Sequence, residues 1–206
     1  SDGTYIAFVA KSDDRHSTVF IWNNSYGDCL GKFDFAHPIT SLYLLPHLLF
    51  IIFNESFCVY NIANKAKEIE QSTYLNLNGA AAYSIFQDNL LLAVCGNELG
   101  FIQIIDYGST NPISFCAAKH PITALQFCPN GSVIATASEK GTLIRTFDTA
   151  TGASLAVFRR GALTSSILSM SFSPHNSDLI VISENGTVHL FASADVKSIQ
   201  KGDPPR

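Results

Sequence analysis

Ile122-Thr123-Ala124-Leu125-Gln126-Phe127, Val133-Ile134-Ala135-Thr136-Ala137-Ser138, Thr142-Leu143-Ile144-Arg145-Thr146-Phe147-Asp148 and Ala153-Ser154-Leu155-Ala156-Val157-Phe158-Arg159 stand one after another in the chain. Each run is short, apolar at alternate positions and rich in β-forming residues. Between them lie Pro129-Asn130-Gly131, Glu139-Lys140-Gly141 and Ala150-Thr151-Gly152, three turn-forming clusters. Four such runs with glycine punctuation predict a four-stranded antiparallel meander.

The unit repeats. Trp22, Tyr60, Ile105, Phe147 and Phe191 close similar segments (Val19 to Asn23, Phe57 to Asn61, Phe101 to Asp106, Leu143 to Asp148, Val188 to Ala192), with spacings of 38, 45, 42 and 44. His37-Pro38-Ile39-Thr40 returns unchanged as His120-Pro121-Ile122-Thr123, 83 residues on, or two periods. A period of about 40–45 residues with several strands per repeat points to a WD-repeat-type β-propeller. The fold expected is all-β, with about five blades at residues 1–36, 37–73, 74–117, 118–161 and 162–196, and the start of a hydrophilic loop at 197–206. A propeller closes on itself to hide its edges, and the outer of these five blades look incomplete, so a piece of a longer protein, or the ordered part of one, is expected.

The bulk numbers remove several classes. A formal net charge of −4 gives no global basic field for nucleic acid, so any anion site must be local. Five scattered cysteines without a Cys-x-x-Cys pair read as reduced thiols of a cytosolic protein, most of them buried. The most apolar stretch, Ser41 to Phe53, is broken by Pro46 and His47 and is too short to span a bilayer as a helix. Gly-x-Ser-x-Gly, P-loop, Gly-x-Gly-x-x-Gly and His-x-x-x-His patterns are all missing, so no enzyme activity, metal or cofactor is expected.

One polar hairpin occurs twice, as Ser138-Glu139-Lys140-Gly141-Thr142 and Ser183-Glu184-Asn185-Gly186-Thr187, and between the copies stands Phe158-Arg159-Arg160-Gly161. Side chains of neighbouring residues in an extended chain point to opposite faces, so each arginine can serve one hairpin. Guanidinium forks, hydroxyls and backbone N–H groups freed by glycine suit a phosphomonoester, which presents several acceptor oxygens and nearly two charges. The preceding repeat has Asn97-Glu98-Leu99-Gly100-Phe101 at the same place and is expected to hold no phosphate. Taken singly, these residues have plainer readings. Thr136, Ser138, Thr142 and Thr187 suit ordinary strands and turns, and Arg145 suits a solvated partner of Glu139. His37 reads as a structural histidine bonding within its blade, Trp22 as core filling, and Lys11 to His16 as a solvated loop.

From about His120 to Phe191, this combination resembles the PROPPIN (WIPI-type) family. The resemblance rests on Phe-Arg-Arg-Gly at 158–161, Ser-Glu-Lys-Gly-Thr-Leu-Ile-Arg-x-Phe-Asp-Thr before it and Gly-Thr-Val-His-Leu-Phe after it. It implies a seven-bladed propeller, represented here from its second blade into its sixth, that binds phosphatidylinositol 3-phosphate and phosphatidylinositol 3,5-bisphosphate. The implied first site uses Thr136, Ser138, Gly141, Thr142, Arg145 and Arg159, with His120 beside it. The implied second uses Arg160, Gly161, Ser183, Thr187 and His189, the histidine making it pH-sensitive. The implied setting is cytoplasmic, peripheral to autophagic or endosomal membranes, with autophagy proteins such as a lipid-transfer protein as partners, residues 1–73 being the surface to test. The alternative is a protein-binding propeller scaffold without lipid binding, in which the arginines meet an acidic partner or brace adjacent blades.

Overall fold

The computed structural model describes residues 4–11, 17–109, 111–175 and 178–192. The tail at 197–206 and, past Lys11, the run to His16 lie outside the described residues. All regular structure among the described residues is strand, arranged in five antiparallel sheets whose strands are neighbours in chain order. These sheets are the blades of a β-propeller. Two compact units divide the chain, Ser1–Gly79 and Ala80–Arg206.

The first unit holds β1 (Tyr5–Lys11), β2 (Ser17–Asn23) and β3 (Asp28–Phe35) in one sheet. A second sheet comprises β4 (Ile39–Leu45), β5 (Leu48–Phe53), β6 (Ser56–Asn61) and β7 (Lys67–Ser72). The apolar stretch interrupted at Pro46 and His47 is the β4–β5 hairpin. His47 takes a left-handed φ of 62° in the turn, and its carbonyl accepts the Ile62 N–H. Every residue of β5 is buried, and each large side chain there contributes roughly 1.5–3 kcal/mol through burial. Val19, Ile21 and Phe33 meet Leu49, Ile51 and Phe53 in the core between the two sheets. His37 departs from expectation: it is exposed, lies edge-on to Phe53 and makes no hydrogen bond among the described residues.

The second unit begins with β8 (Ala81–Phe86), β9 (Asn89–Cys95), β10 (Phe101–Asp106) and β11 (Ile113–Cys116). Next come β12 (Ile122–Phe127), β13 (Val133–Ser138), β14 (Leu143–Asp148) and β15 (Ser154–Arg159), within one residue of the meander read from the sequence. The last sheet is β16 (Ile167–Phe172), β17 (Asp178–Ser183) and β18 (Val188–Ala192). The innermost strand β12 lies against both β8 and β16, so the β12–β15 sheet is the middle of three.

Its two faces have separate cores because alternate residues point to opposite sides. Leu125, Phe127, Ile134 and Phe147 meet Ala82, Ala93, Ile102 and Ile104 of the preceding sheet. Ala135, Ala137, Ile144, Ala156 and Phe158 meet Ile167, Leu179 and Val181 of the following one.

The linkers between sheets are fixed by backbone hydrogen bonds at one end of the strands. Ala117 and Ala118 donate to the Gly100 carbonyl, and Glu139 in the next sheet's hairpin donates to Pro121. One repeat later, Arg160 donates its backbone N–H to Thr142, Ser165 to Lys140, and Glu184 to Ser166. Each linker is therefore held between the hairpin behind it and the hairpin ahead. The doubled polar hairpin and the arginine pair lie at this end. The β12–β13 and β14–β15 turns lie at the other.

Candidate functional site

Strand register decides which candidate residues share a face. Thr136 is directly opposite Arg145, which is opposite Val157, and Leu143 is opposite Arg159. Side chains at paired positions share a face, as do residues two apart along a strand. Thr136, Ser138, Arg145 and Arg159 thus lie together on the side of the β12–β15 sheet that carries Ile134 and Phe147, facing β8–β11. Thr136 and Ser138 are buried at 1% and 6% exposure, and their hydroxyls find no hydrogen-bond partner among the described residues. Arg145 is half-buried and Arg159 exposed. Neither guanidinium pairs with any described group. Glu139, the proposed partner of Arg145, instead approaches His120, at 3.7 Å from Oε1 to Nδ1. Two hydroxyl-bearing residues and two guanidiniums that pair with no described group thus share one face, the donor types that suit a phosphate.

Thr142, at the end of the hairpin, is half-buried. Gly141 is buried with φ at +59°, and a Cβ there would run into the Ser165 carbonyl. Gly100 is built the same way, with φ at +76° and the Ala118 carbonyl where its Cβ would go. This explains why the repeat without threonine keeps its glycine: the linker needs the space whether or not an anion binds. At the Arg145 position that repeat has Gln103, which stands opposite Val94 as Arg145 stands opposite Thr136. Gly186 has open space around it and φ at +78°.

The second group lies in the next cleft, on the face of β16–β18 that meets β12–β15. Val181 is opposite His189 and Leu179 opposite Phe191. Phe191 stacks on Phe158 at 4.8 Å between ring centroids, and His189 is parallel to Phe191 at 6.1 Å. Ser183 is fully buried. Its Oγ lies 2.7 Å from Asn185 Oδ1 and 2.7 Å from Thr187 Oγ1, which in turn is 3.1 Å from His189 Nε2. Unlike the first group, this one is bonded to itself. Asn185, which sequence reading passed over, organises it by also accepting the Thr187 hydroxyl at 2.8 Å and N–H at 3.3 Å. Its signal was the Asn-Gly turn.

His189 stands one residue short of the Arg145 position in the sequence, yet the two are structurally equivalent. The β13–β14 hairpin closes at Ala137–Ile144, whereas β17–β18 closes at Ile182–Val188 with one residue fewer. The shorter loop absorbs the offset, so His189 opposite Val181 matches Arg145 opposite Thr136.

Arg160 is 7% exposed. Its Nε donates to the Gly141 carbonyl at 2.6 Å, and Nη2 donates to the Leu163 carbonyl. This arginine is therefore tied to the hairpin of the first group and to its own linker, while Nη1 makes no bond to any described residue. Gly161 beside it is half-buried. The linker reaches the second group through Ser165, whose Oγ accepts the Asn185 N–H at 3.3 Å.

The profile of the PROPPIN family matches residues 2–205. The chain belongs to the PROPPIN family. A WD repeat domain phosphoinositide-interacting protein 2 from Gallus gallus is 34% identical over 97% of this chain and 46% of its own length. SVP1-like protein 2 of Pichia angusta is 32% identical over 91% of this chain and 54% of its own length. The chain thus spans about half the length of these two curated relatives. Among solved structures, Kluyveromyces lactis Hsv2 superposes with a TM-score of 0.79 at 24% identity, covering 94% of this PROPPIN chain and 60% of Hsv2. That likeness supports the propeller fold. A further structure holds KlAtg21 with the coiled coil of AgAtg16, with a TM-score of 0.78 at 23% identity over 92% of this chain and 63% of that one.

Proposed function

We propose that this PROPPIN chain forms the phosphate-recognising part of a propeller that binds phosphatidylinositol 3-phosphate and phosphatidylinositol 3,5-bisphosphate. It recruits the protein from the cytoplasm to autophagic or endosomal membranes, where it acts by binding, as a scaffold, and not by catalysis. The observation that carries the reading is the first group: Thr136, Ser138, Arg145 and Arg159 on one face, with hydroxyls and guanidiniums unpartnered. His120 and Thr142 flank it, and Gly141 shapes its hairpin. Arg160, Gly161, Ser183, Thr187 and His189 form the second site, where an incoming phosphate exchanges the internal Ser183–Thr187–His189 bonds for its own oxygens. Two weak sites on one rigid body give avidity on a membrane that neither gives alone.

Partners on the membrane are autophagy proteins, a lipid-transfer protein among them. The relative's name, phosphoinositide-interacting, supports the lipid. The KlAtg21 complex supports autophagy-protein partners. The bonds of Arg160 to two carbonyls favour the bracing role for that arginine in addition to any ligand.

The test is co-sedimentation of the full-length protein with vesicles containing phosphatidylinositol 3-phosphate, beside Arg159→Ala and Arg145→Ala. One charge-assisted hydrogen bond is worth about 1.5–3 kcal/mol, so each change weakens binding roughly ten- to a hundredfold. Unchanged sedimentation of both folded variants refutes the lipid reading and leaves the protein-binding scaffold.

A further inference from the structure

A groove of about 390 Å³ opens at the end of the strands opposite Arg159 and Arg160. It runs between the sheets β8–β11 and β12–β15. Its walls carry Asn89, Asn111, Asn130 and Asp106, above a floor of Leu91 and Ile104. A smaller recess of about 180 Å³ continues it past Asn89 and Gly131 towards Ser84. The volume lies in the range of roughly 300–1,000 Å³ found for ligand sites.

The polar groups on the walls are largely uncommitted. The side-chain amides of Asn89 and Asn111 have no partner among the described residues. Asn130 uses Oδ1 to hold Ser132 N–H and Oγ, leaving its NH₂ free. Asp106 uses Oδ1 to accept the Gly108 N–H at 3.2 Å, leaving Oδ2.

Charge at this end has one sign. The turns here contribute Asp88, Asp106, Asp148 and Asp178 and no lysine or arginine. The five such residues of the chain from 80 to 192 (Lys119, Lys140, Arg145, Arg159 and Arg160) all lie outside these turns. The Thr151 hydroxyl and the Thr151 and Ala150 N–H groups hold the Asp148 carboxyl below the usual carboxylate range. At the mouth of the recess, Gln87 and Asp88 both take left-handed backbone angles, φ 49° and 64°, in a two-residue turn without glycine. Such conformations are unfavourable for residues with a Cβ and cluster at binding sites.

We propose that this groove docks an extended peptide segment of a partner protein carrying lysine or arginine. Amide side chains both donate and accept, which matches a peptide backbone offering one N–H and one C=O per residue. The Leu91 and Ile104 floor takes an aliphatic stem, and Asp106 Oδ2 takes the cationic head at its tip. The end bearing Arg159 is left free, so one molecule can hold both ligands at once. This docking does not depend on the phosphate reading.

The probe is an array of random immobilised hexapeptides incubated with the full-length protein, beside Ala150→Arg, Asp106→Asn and Arg159→Ala. Ala150 lines the groove, is exposed and has no side-chain bond to lose; arginine there fills the groove and reverses its charge. Asparagine at 106 keeps an oxygen for the Gly108 N–H. Captured peptides are expected to be several-fold enriched in lysine and arginine over aspartate and glutamate. Capture falls at least tenfold in Ala150→Arg and in Asp106→Asn and is unchanged in Arg159→Ala. An array that captures nothing, captures acidic peptides, or is read equally by folded Ala150→Arg overturns the proposal.

Discussion

Replacing Arg160 and Arg159 separately by alanine yields two different results. Arg160 is buried and donates to two carbonyls. Leu163 is 81% exposed, so its carbonyl regains water when the guanidinium goes. Gly141 is buried beneath the linker, and its stranded carbonyl costs about 1–3 kcal/mol. Two lost buried methylenes add roughly 0.8 kcal/mol each, partly offset because a guanidinium no longer needs to be desolvated. The expected destabilisation by Arg160→Ala is therefore about 2–4 kcal/mol, or a melting-temperature drop of roughly 5–15 °C. Arg159 is exposed and unbonded, and Arg159→Ala is expected to stay within about 0.5 kcal/mol. Arg160→Lys keeps the charge but loses the fork, and falls between. The assay is thermal unfolding followed by circular dichroism, with urea titration as a second reading. Equal shifts for the two alanine variants, or an Arg160→Ala shift under about 2 °C, refute the brace. The double alanine variant mixes binding with stability, which makes the Arg159 single variant the cleaner probe.

Gly141→Ala is expected to destabilise by several kcal/mol, because its Cβ meets the Ser165 backbone at φ +59°, whereas Gly186→Ala has open space and loses only about 1 kcal/mol to its left-handed angle; urea titration of both checks this. Burial pushes the Cys58 and Cys95 thiols up to about 12, while Cys29 and Cys116 are exposed. In the native protein a maleimide therefore labels Cys29 and Cys116 first, and mass spectrometry finds Cys58 and Cys95 modified only after unfolding.

The sequence made some parts of this molecule legible for definite physical reasons. Period-2 alternation and Gly or Asn-Gly turns located β12 and β13 to the residue, because each strand has one alternating set facing each core. The equivalence of His189 and Arg145 is offset by one residue in the sequence, since a hairpin lacking one residue shifts numbering without shifting register. Gly141 was assigned to ligand approach, and the structure shows a linker carbonyl against it. The bonds of Arg160 had no sequence signal at all: a side chain donating to distant backbone carbonyls leaves no mark in residue type. The groove beside Asp106 also escaped notice, because its walls come from turns separated by forty residues and made of ordinary turn formers.

The most direct test of the account is a titration of ¹⁵N-labelled full-length protein with inositol 1,3-bisphosphate, followed at the arginine Nε–H groups and the Thr136 and Ser138 amides. The account predicts saturable shifts at Arg145, Arg159, Thr136 and Ser138 that vanish in folded Arg159→Ala. Saturable binding that leaves these four residues unmoved, or that persists undiminished in Arg159→Ala, contradicts it.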